Sequence, residues 1–359
     1  MRIAQIASLS ERVPPPKYGG TERVVYELTE ELVKRGHDVT LFASGNSKTS
    51  AKLYSLLPKS IRELNLKNPY GLNEWNMLNI GVAYAHQSEF DIIHDHNYVI
   101  SMPVANLSKT PVVQTVHGCF HEDNRPLYSV LKNVNLVTIS REQQRQGKGL
   151  NIVDTVYNGL SMDHYPFGRE HDGYLLVIAR MSPEKGIHHA ITVAQTLDLP
   201  LIIGGRIGEN EREYFTQMIK PHLSDPRIKW VGEVNERERN ILMSKALCML
   251  HPVTWPEPFG LTMIEAMACG CPVIALNQGS IKEVIKNEQT GFVVDTVDEM
   301  IKAVGQLGNI RRTACRSYAL DKFSATKMVD SYEAVYESIL KDSTVLIPRT
   351  SPSLKIRKP

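Results

Sequence analysis

Two carboxylates eight positions apart, Glu257 and Glu265, stand in the segment Trp255-Pro-Glu-Pro-Phe-Gly-Leu-Thr-Met-Ile-Glu265-Ala-Met-Ala-Cys-Gly270. Pro256 and Pro258 restrict the backbone on either side of Glu257. The apolar run that follows predicts a short helix starting near Gly260 and stopping at Gly270, a residue suited to a C-terminal cap. Inside that helix only Thr262 and Glu265 are strongly polar. A carboxylate among Leu261, Met263, Ile264, Ala266, Met267 and Ala268 is costly to bury without partners. The amides at the helix start, including those of Phe259, Gly260 and Leu261, suit an anion. Acids in an anion-friendly, water-poor place fit a phosphorylated, hydroxyl-rich ligand.

Other residues extend this chemistry. Arg180 and Lys185 follow a predicted strand, Tyr174–Ala179. Two cations at that spacing suit a diphosphate, with Arg adding a planar fork of donors. Gly19-Gly20 precedes a helix and lets backbone approach an anion closely. It is not the spaced triple-glycine fingerprint of nicotinamide enzymes. His117, followed by Gly118, ends a strand that Val112, Val113 and Val116 bury, and strand ends of this kind carry ligands. The cluster His94-Asp95-His96 reads as strand-end packing or cleft lining, because adjacent spacing is poor for chelation. Gly205, with Arg206, and Val231–Val234 lie after two further strands. Asn158-Gly159 reads as a turn.

Taken in order, Gly19-Gly20, Thr115-Val-His117-Gly118, Asn158-Gly159, Arg180-Met-Ser-Pro-Glu-Lys185-Gly186 and the paired-Glu segment resemble the family-4 retaining glycosyltransferases of GT-B architecture. The resemblance runs over roughly residues 1 to 340. It implies that Arg180 and Lys185 bind the diphosphate of a sugar nucleotide. It implies that Glu257 accepts hydrogen bonds from the donor sugar and that Glu265 holds the ribose hydroxyls. His117 is expected beside the donor sugar, and Gly19 and Gly20 near phosphate. Gly205 and Val234 are expected to frame the base through main-chain contacts, and Phe259, Gly260 and Leu261 to meet phosphate or sugar. His117, Glu257, Arg180 and Lys185 are thus the expected catalytic group, with no metal and no cofactor. The expected reaction moves a hexose-type sugar from a nucleoside-diphosphate donor, UDP before GDP, to an unknown acceptor hydroxyl. The acceptor is a glycan, a lipid-linked or a small molecule. The rivals are a nucleotide-sugar 2-epimerase, a sugar phosphorylase, or a catalytically silent sugar-nucleotide-binding protein. A pyridoxal-phosphate phosphorylase needs a cofactor lysine, and no residue here is identifiable as one.

These residues need elements to position them. The chain has 359 residues, comfortable for two domains. Strands alternate with helices, which argues for an α/β fold of two Rossmann-like, doubly wound parallel-sheet domains facing a cleft. The expected divisions are residues 1–168, 169–318, C-terminal helices at 319–340 returning to the first domain, as the resemblance implies, and a disordered tail at 341–359. The helix expected at Thr21–Arg35 carries Val24, Val25, Leu28 and Leu32 on one face, with Thr21 as its cap.

A net charge of +2 gives no global pull toward nucleic acid. The first residues read as a short strand rather than a signal peptide, so a cytoplasmic location is expected. Five scattered cysteines, Cys119, Cys248, Cys269, Cys271 and Cys315, are read as packing residues rather than a disulfide framework. The basic segment Lys48–Lys67 reads as a surface helix with solvated lysines; peripheral membrane contact is the less favoured alternative.

Overall fold

The computed structural model describes residues 1–64 and 71–343. The chain forms two compact units. One holds Met1–Pro15, Gly19–Gly159 and the described residues from Ala325 onward; the other holds Pro16–Tyr18 and Leu160–Ser324.

The first unit is built on seven parallel strands. They are β1 (Arg2–Ile6), β2 (Asp38–Phe42), β3 (Lys52–Tyr54), β4 (Ile92–Asp95), β5 (Val112–Val116), β6 (Asn135–Thr138) and β7 (Ile152–Thr155). Their order is β3-β2-β1-β4-β5-β6-β7. The six-stranded sheet of the second unit comprises β8 (Leu175–Ile178), β9 (Leu201–Gly204), β10 (Ile228–Trp230), β11 (Cys248–His251), β12 (Val273–Leu276) and β13 (Gly291–Val294). Its order is β10-β9-β8-β11-β12-β13, again parallel throughout. Central strands β5, β11 and β12 are buried along their whole length, as sheets covered on both faces require. Each sheet reverses direction at one point: between β1 and β4 in the first unit and between β8 and β11 in the second. Ligands in such sheets gather at the carboxyl ends of the strands flanking that switch.

The strand predicted at Tyr174–Ala179 is observed at Leu175–Ile178. β3, β7 and β13 were not predicted. β3 is exposed along its length and β7 at its two central residues, and neither carries the apolar run that marks a central strand. The helix after β1 runs Gly20–Lys34. Its cap is Gly19 rather than Thr21, and no side chain caps it. The segment read as one basic helix is instead β3 followed by a short helix, Ile61–Leu64. Lys52 there pairs with Asp38 and Arg62 with Glu11, so neither is simply solvated. Lys67 and all of the expected tail beyond Ser343 lie outside the described residues; Lys341–Ser343 complete the last helix, Ala325–Ser343. That helix packs on the first one, where Arg35 bonds Glu333 at 2.6 Å and Asp330 at 2.8 Å, and His37 meets Glu333 at 2.7 Å.

Among the described residues no helix is long and apolar enough to cross a membrane. The four buried cysteines are Cys248, Cys269, Cys271 and Cys315. Burial pushes the Cys271 thiol up to about 12, the behaviour of an inert packing group.

Candidate active site

In the second unit the loop after β8 carries Arg180 and Lys185, and the loop after β11 carries Glu257. β8 and β11 are neighbours at the switch point. Lys185 Nζ donates to Glu257 Oε2 at 2.5 Å, so one ion pair spans the two strand ends. Both side chains are largely buried, at 18% and 12% exposure. Trp255 Nε1 donates to the same carboxylate oxygen at 3.0 Å, and its ring lies 5.0 Å from Lys185 Nζ. Burial acts to raise the Glu257 carboxyl. Attraction to Lys185 and His251, with hydrogen bonds from Lys185 and Trp255, outweighs it and holds the group below the usual carboxylate range.

The backbone of Glu257 is braced from behind. Ser280 N–H donates to its carbonyl at 3.0 Å. Gly279 lies so close that an added Cβ would fall 2.3 Å from that oxygen, and its φ of +59° is left-handed. Only glycine fits both conditions. The helix predicted here spans Leu261–Ala268, and Gly260 caps it at φ +84°. Gly260 therefore turns the chain so that the first helical amides follow directly after the acid loop.

Arg180 is committed to carboxylates as well. Its Nη2 donates to Glu184 at 2.8 Å, and its Nε lies 3.4 Å from Glu211. Ser182 donates to the same Glu184 oxygen at 2.6 Å. The diphosphate cations expected from the sequence are thus internally neutralised, each by its own acid.

Glu265 occupies a different environment. It is buried within the helix and takes a hydrogen bond from Arg239 Nη2 at 2.6 Å, with the pair 7% and 4% exposed. Tyr165 O–H donates to it at 3.4 Å. A buried carboxylate needed a partner, and an arginine 26 positions earlier in sequence supplies it. Phe259 is a core anchor, packed edge-on against Phe323 at 5.7 Å, while its carbonyl accepts from Ser280 at 3.1 Å. Leu261 opens the helix. Gly205 N–H bonds the Gly232 carbonyl at 2.8 Å, and its own carbonyl accepts from Trp230. Val234 is half-buried and packs beside Gly204.

His251 was not among the residues picked from the sequence. It ends β11 and is buried, and its Nε2 has no hydrogen-bond partner among the described residues. Burial pushes its pKa down to about 4, against the pull of Glu257 and with the push of Lys185. It is a neutral imidazole next to the acid loop. A single histidine at a strand end has no periodic pattern to mark it in the sequence.

In the first unit Gly19 is buried and caps the helix after β1, while Gly20 is its exposed first residue. His117 follows β5, and its Nε2 lies 3.0 Å from His96 Nδ1. His94 and His96 stack at 4.2 Å. His94 is bonded to Tyr336 and Thr115, and His96 to Gln5, so the cluster is packed within the unit. Among the described residues no group of three His, Cys, Asp or Glu is arranged to hold a metal ion.

Residues 18–159 match the family model described as Glycosyltransferase Family 4, and residues 166–318 match the one described as Glycosyl transferases group 1. The chain belongs to the glycosyltransferases that these two models describe. It is 24% identical to a glycogen synthase of Mycobacterium tuberculosis over 80% of this chain and 81% of that protein. It is also 24% identical to the N-acetyl-alpha-D-glucosaminyl L-malate synthase of Bacillus anthracis, over 91% and 96% respectively. Among solved structures, HepE of Anabaena in complex with UDP and glucose superposes with a TM-score of 0.73 at 19% identity, covering 94% of this chain and 100% of that one. That likeness is one of fold, and the fold is GT-B: two Rossmann-like parallel-sheet domains.

Proposed function

We propose that this glycosyltransferase moves a hexose-type sugar, with retention of configuration, from a nucleoside-diphosphate donor to an acceptor hydroxyl. The observation that carries the reading is the Lys185–Glu257 pair across the β8/β11 switch point, beside the start of the Leu261–Ala268 helix. A diphosphate arriving there would draw Lys185 and Arg180 from Glu257, Glu184 and Glu211. Cations held by acids exchange partners without exposing a bare charge, and they stabilise the negative charge that grows as the nucleotide leaves. Glu257, released from Lys185, accepts hydrogen bonds from sugar hydroxyls. The unpartnered His251 Nε2 adds one neutral polar atom to this group.

Glu265 is proposed to bind the ribose hydroxyls with its geometry fixed by Arg239. Gly205 and Val234 are proposed to frame the base, and Phe259, Gly260 and Leu261 to offer main-chain amides. For His117, Gly19 and Gly20 the proposed donor contacts rest on the family resemblance. No side chain is assigned as a covalent nucleophile. The proposed route is a same-face, dissociative departure in which the leaving phosphate takes the acceptor proton.

UDP is the favoured nucleotide, supported by the UDP complex of the HepE neighbour, with GDP as alternative. The acceptor is a glycan, a lipid-linked or a small molecule. A thermal-shift screen of UDP-, GDP- and ADP-sugars tests the donor. At a hundredfold excess over Kd the bound form gains about 2.7 kcal/mol. A rise confined to UDP-sugars supports the reading. A screen in which no sugar nucleotide raises the melting temperature counts against it. The anomeric configuration of the product, read by NMR once an acceptor is found, decides retention.

A further inference from the structure

Three central strands of the first unit carry polar side chains where the sheet is fully buried: Gln5 on β1, His94 on β4 and Thr115 on β5. Gln5 and His94 are register partners. Side chains two apart on a strand share a face, so His96 lies beside His94 and His117 beside Thr115. The last helix lays Tyr332 and Tyr336 over the same face. Seven groups then form one unbroken line. His117 Nε2 meets His96 Nδ1 at 3.0 Å, and His96 Nε2 meets Gln5 Oε1 at 2.9 Å. Gln5 Nε2 reaches the Tyr336 hydroxyl at 3.4 Å, and that hydroxyl lies 2.6 Å from His94 Nδ1. His94 Nε2 meets Thr115 Oγ1 at 2.7 Å, and Thr115 Oγ1 meets the Tyr332 hydroxyl at 2.8 Å.

Each neutral imidazole has one donor and one acceptor. Burial drives the His94 and His96 pKa values well below the ordinary value and that of His117 to about 3, so all three rings are neutral near pH 7. When each member passes one hydrogen along the line, two polarities are self-consistent. In one, every member donates toward Tyr332; in the other, every member donates toward His117. The contacts at Tyr336 choose between them. The 2.6 Å contact to His94 suits the Tyr336 O–H as donor and is shorter than an N–H donor usually reaches; with its one hydrogen spent there, the hydroxyl can only accept from Gln5 Nε2 at 3.4 Å. Tyr336 therefore donates to His94, and Gln5 donates to Tyr336. The Gln5 carbonyl must then face His96, which accepts at Nδ1 from His117.

We infer that this line of hydrogen bonds holds His117 as its Nε2–H tautomer, leaving Nδ1 an acceptor only, and that Gln5, His96 and Tyr336 are positioning residues for it. Nδ1 makes no hydrogen bond among the described residues. An acceptor there takes a hydrogen bond from a hydroxyl and offers nothing to a phosphate oxygen. That ligand preference rests on the glycosyl-transfer reading; the tautomer does not.

The test uses the full chain labelled with 15N-histidine. Long-range 1H–15N correlations report the protonated nitrogen of His117, assigned by its loss in His117→Gln. The expected result is a single Nε2–H tautomer in the wild type. In Tyr336→Phe the amide of Gln5 loses the group that fixes its orientation, and His117 is expected to show both tautomers. A wild-type His117 protonated at Nδ1, or already mixed, overturns the inference. So does a His117 signature that Tyr336→Phe leaves unchanged. Donor turnover, read as nucleotide release, is expected to fall about tenfold in Tyr336→Phe with KM held. If the tautomer shifts as stated and turnover does not change, the relay stands and the catalytic role proposed for His117 falls.

Discussion

The two sheets reverse direction in the same way, yet their switch points are furnished with opposite chemistry. At β8/β11 the second unit places formal charges: Lys185 on Glu257, and Arg180 between Glu184 and Glu211. At β1/β4 the first unit places a line of neutral groups, Gln5, His94 and His96, joined to His117 and to two tyrosines, beside the buried Asp95, which Tyr84 and Asn97 hydrogen-bond. Charged pairs can trade partners when an anion arrives. A neutral line cannot trade charge, but it fixes which way each hydrogen bond points.

The largest effect should come from breaking the charged switch point. Lys185→Ala leaves Glu257 buried without its counter-ion, which costs about 3 kcal/mol of stability. Nucleotide release from the donor should drop by about a hundred- to a thousandfold. Denaturant melts and single-turnover assays measure the two losses. Near-normal release in Lys185→Ala would remove this pair from the mechanism.

A second cut separates architecture from function at Glu265. Arg239→Ala should cost about 3 kcal/mol, because a buried carboxylate loses its counter-ion. The double variant Arg239→Met/Glu265→Leu should recover most of that stability while still losing affinity for the nucleotide. Full affinity in the double variant would make Glu265 a packing residue.

Acid sharpens the contrast between the units. An unfolded histidine takes a proton as pH falls through about 6.5, whereas buried His94 and His96 and half-buried His117 resist it far lower. The unfolded chain then binds more protons, so stability present above about pH 6.5 is lost as pH falls below it. Three such groups taken alone give a slope of at most about 4 kcal/mol per pH unit in the first unit, opposed in part by Glu22 and Asp95, whose carboxyls burial raises. In the second unit His251, held at about 4, contributes a single such group of comparable depth, with shallower shifts at His188 and His189. Glu257, whose pKa is depressed, keeps its contribution until pH falls below the ordinary carboxylate value near 4.5. Hydrogen exchange between pH 6.5 and 4 should show the first unit opening before the second; the reverse order would contradict the assignment of neutral, buried rings.

The smallest effect is expected at His251. Its Nε2 has no protein partner, so His251→Leu should leave stability unchanged or raise it by about 1 kcal/mol. Donor turnover should fall about tenfold if that nitrogen meets the ligand, and stay level if it does not.

Much of this was legible in the sequence. Apolar runs such as Val273–Leu276 mark buried parallel strands, and the prolines and glycines around Glu257 mark the loop and the helix that follow. The positions of Arg180, Lys185, Glu257 and Glu265 could be read, but their partners could not. Lys185 and Glu257 are 72 positions apart, and nothing local shows that a cation expected for phosphate already holds an acid. Glu265 announced its need for a partner by its apolar neighbours, without naming Arg239. The histidine line was hidden for another reason. Its members come from three strands and the last helix, and only the two-residue spacing of His94/His96 and Thr115/His117 hinted at a shared face. Edge strand β3 stayed unread because an exposed three-residue strand has no hydrophobic signature.

The central claim is that Lys185 and Glu257 form the working end of a sugar-nucleotide site. Nucleotide release from a UDP-sugar, measured without acceptor in the wild type, Lys185→Ala and Glu257→Ala, tests it most directly. The account predicts slow release by the wild type and a loss of at least about a hundredfold in both variants. Release that proceeds at the wild-type rate in both variants would contradict it.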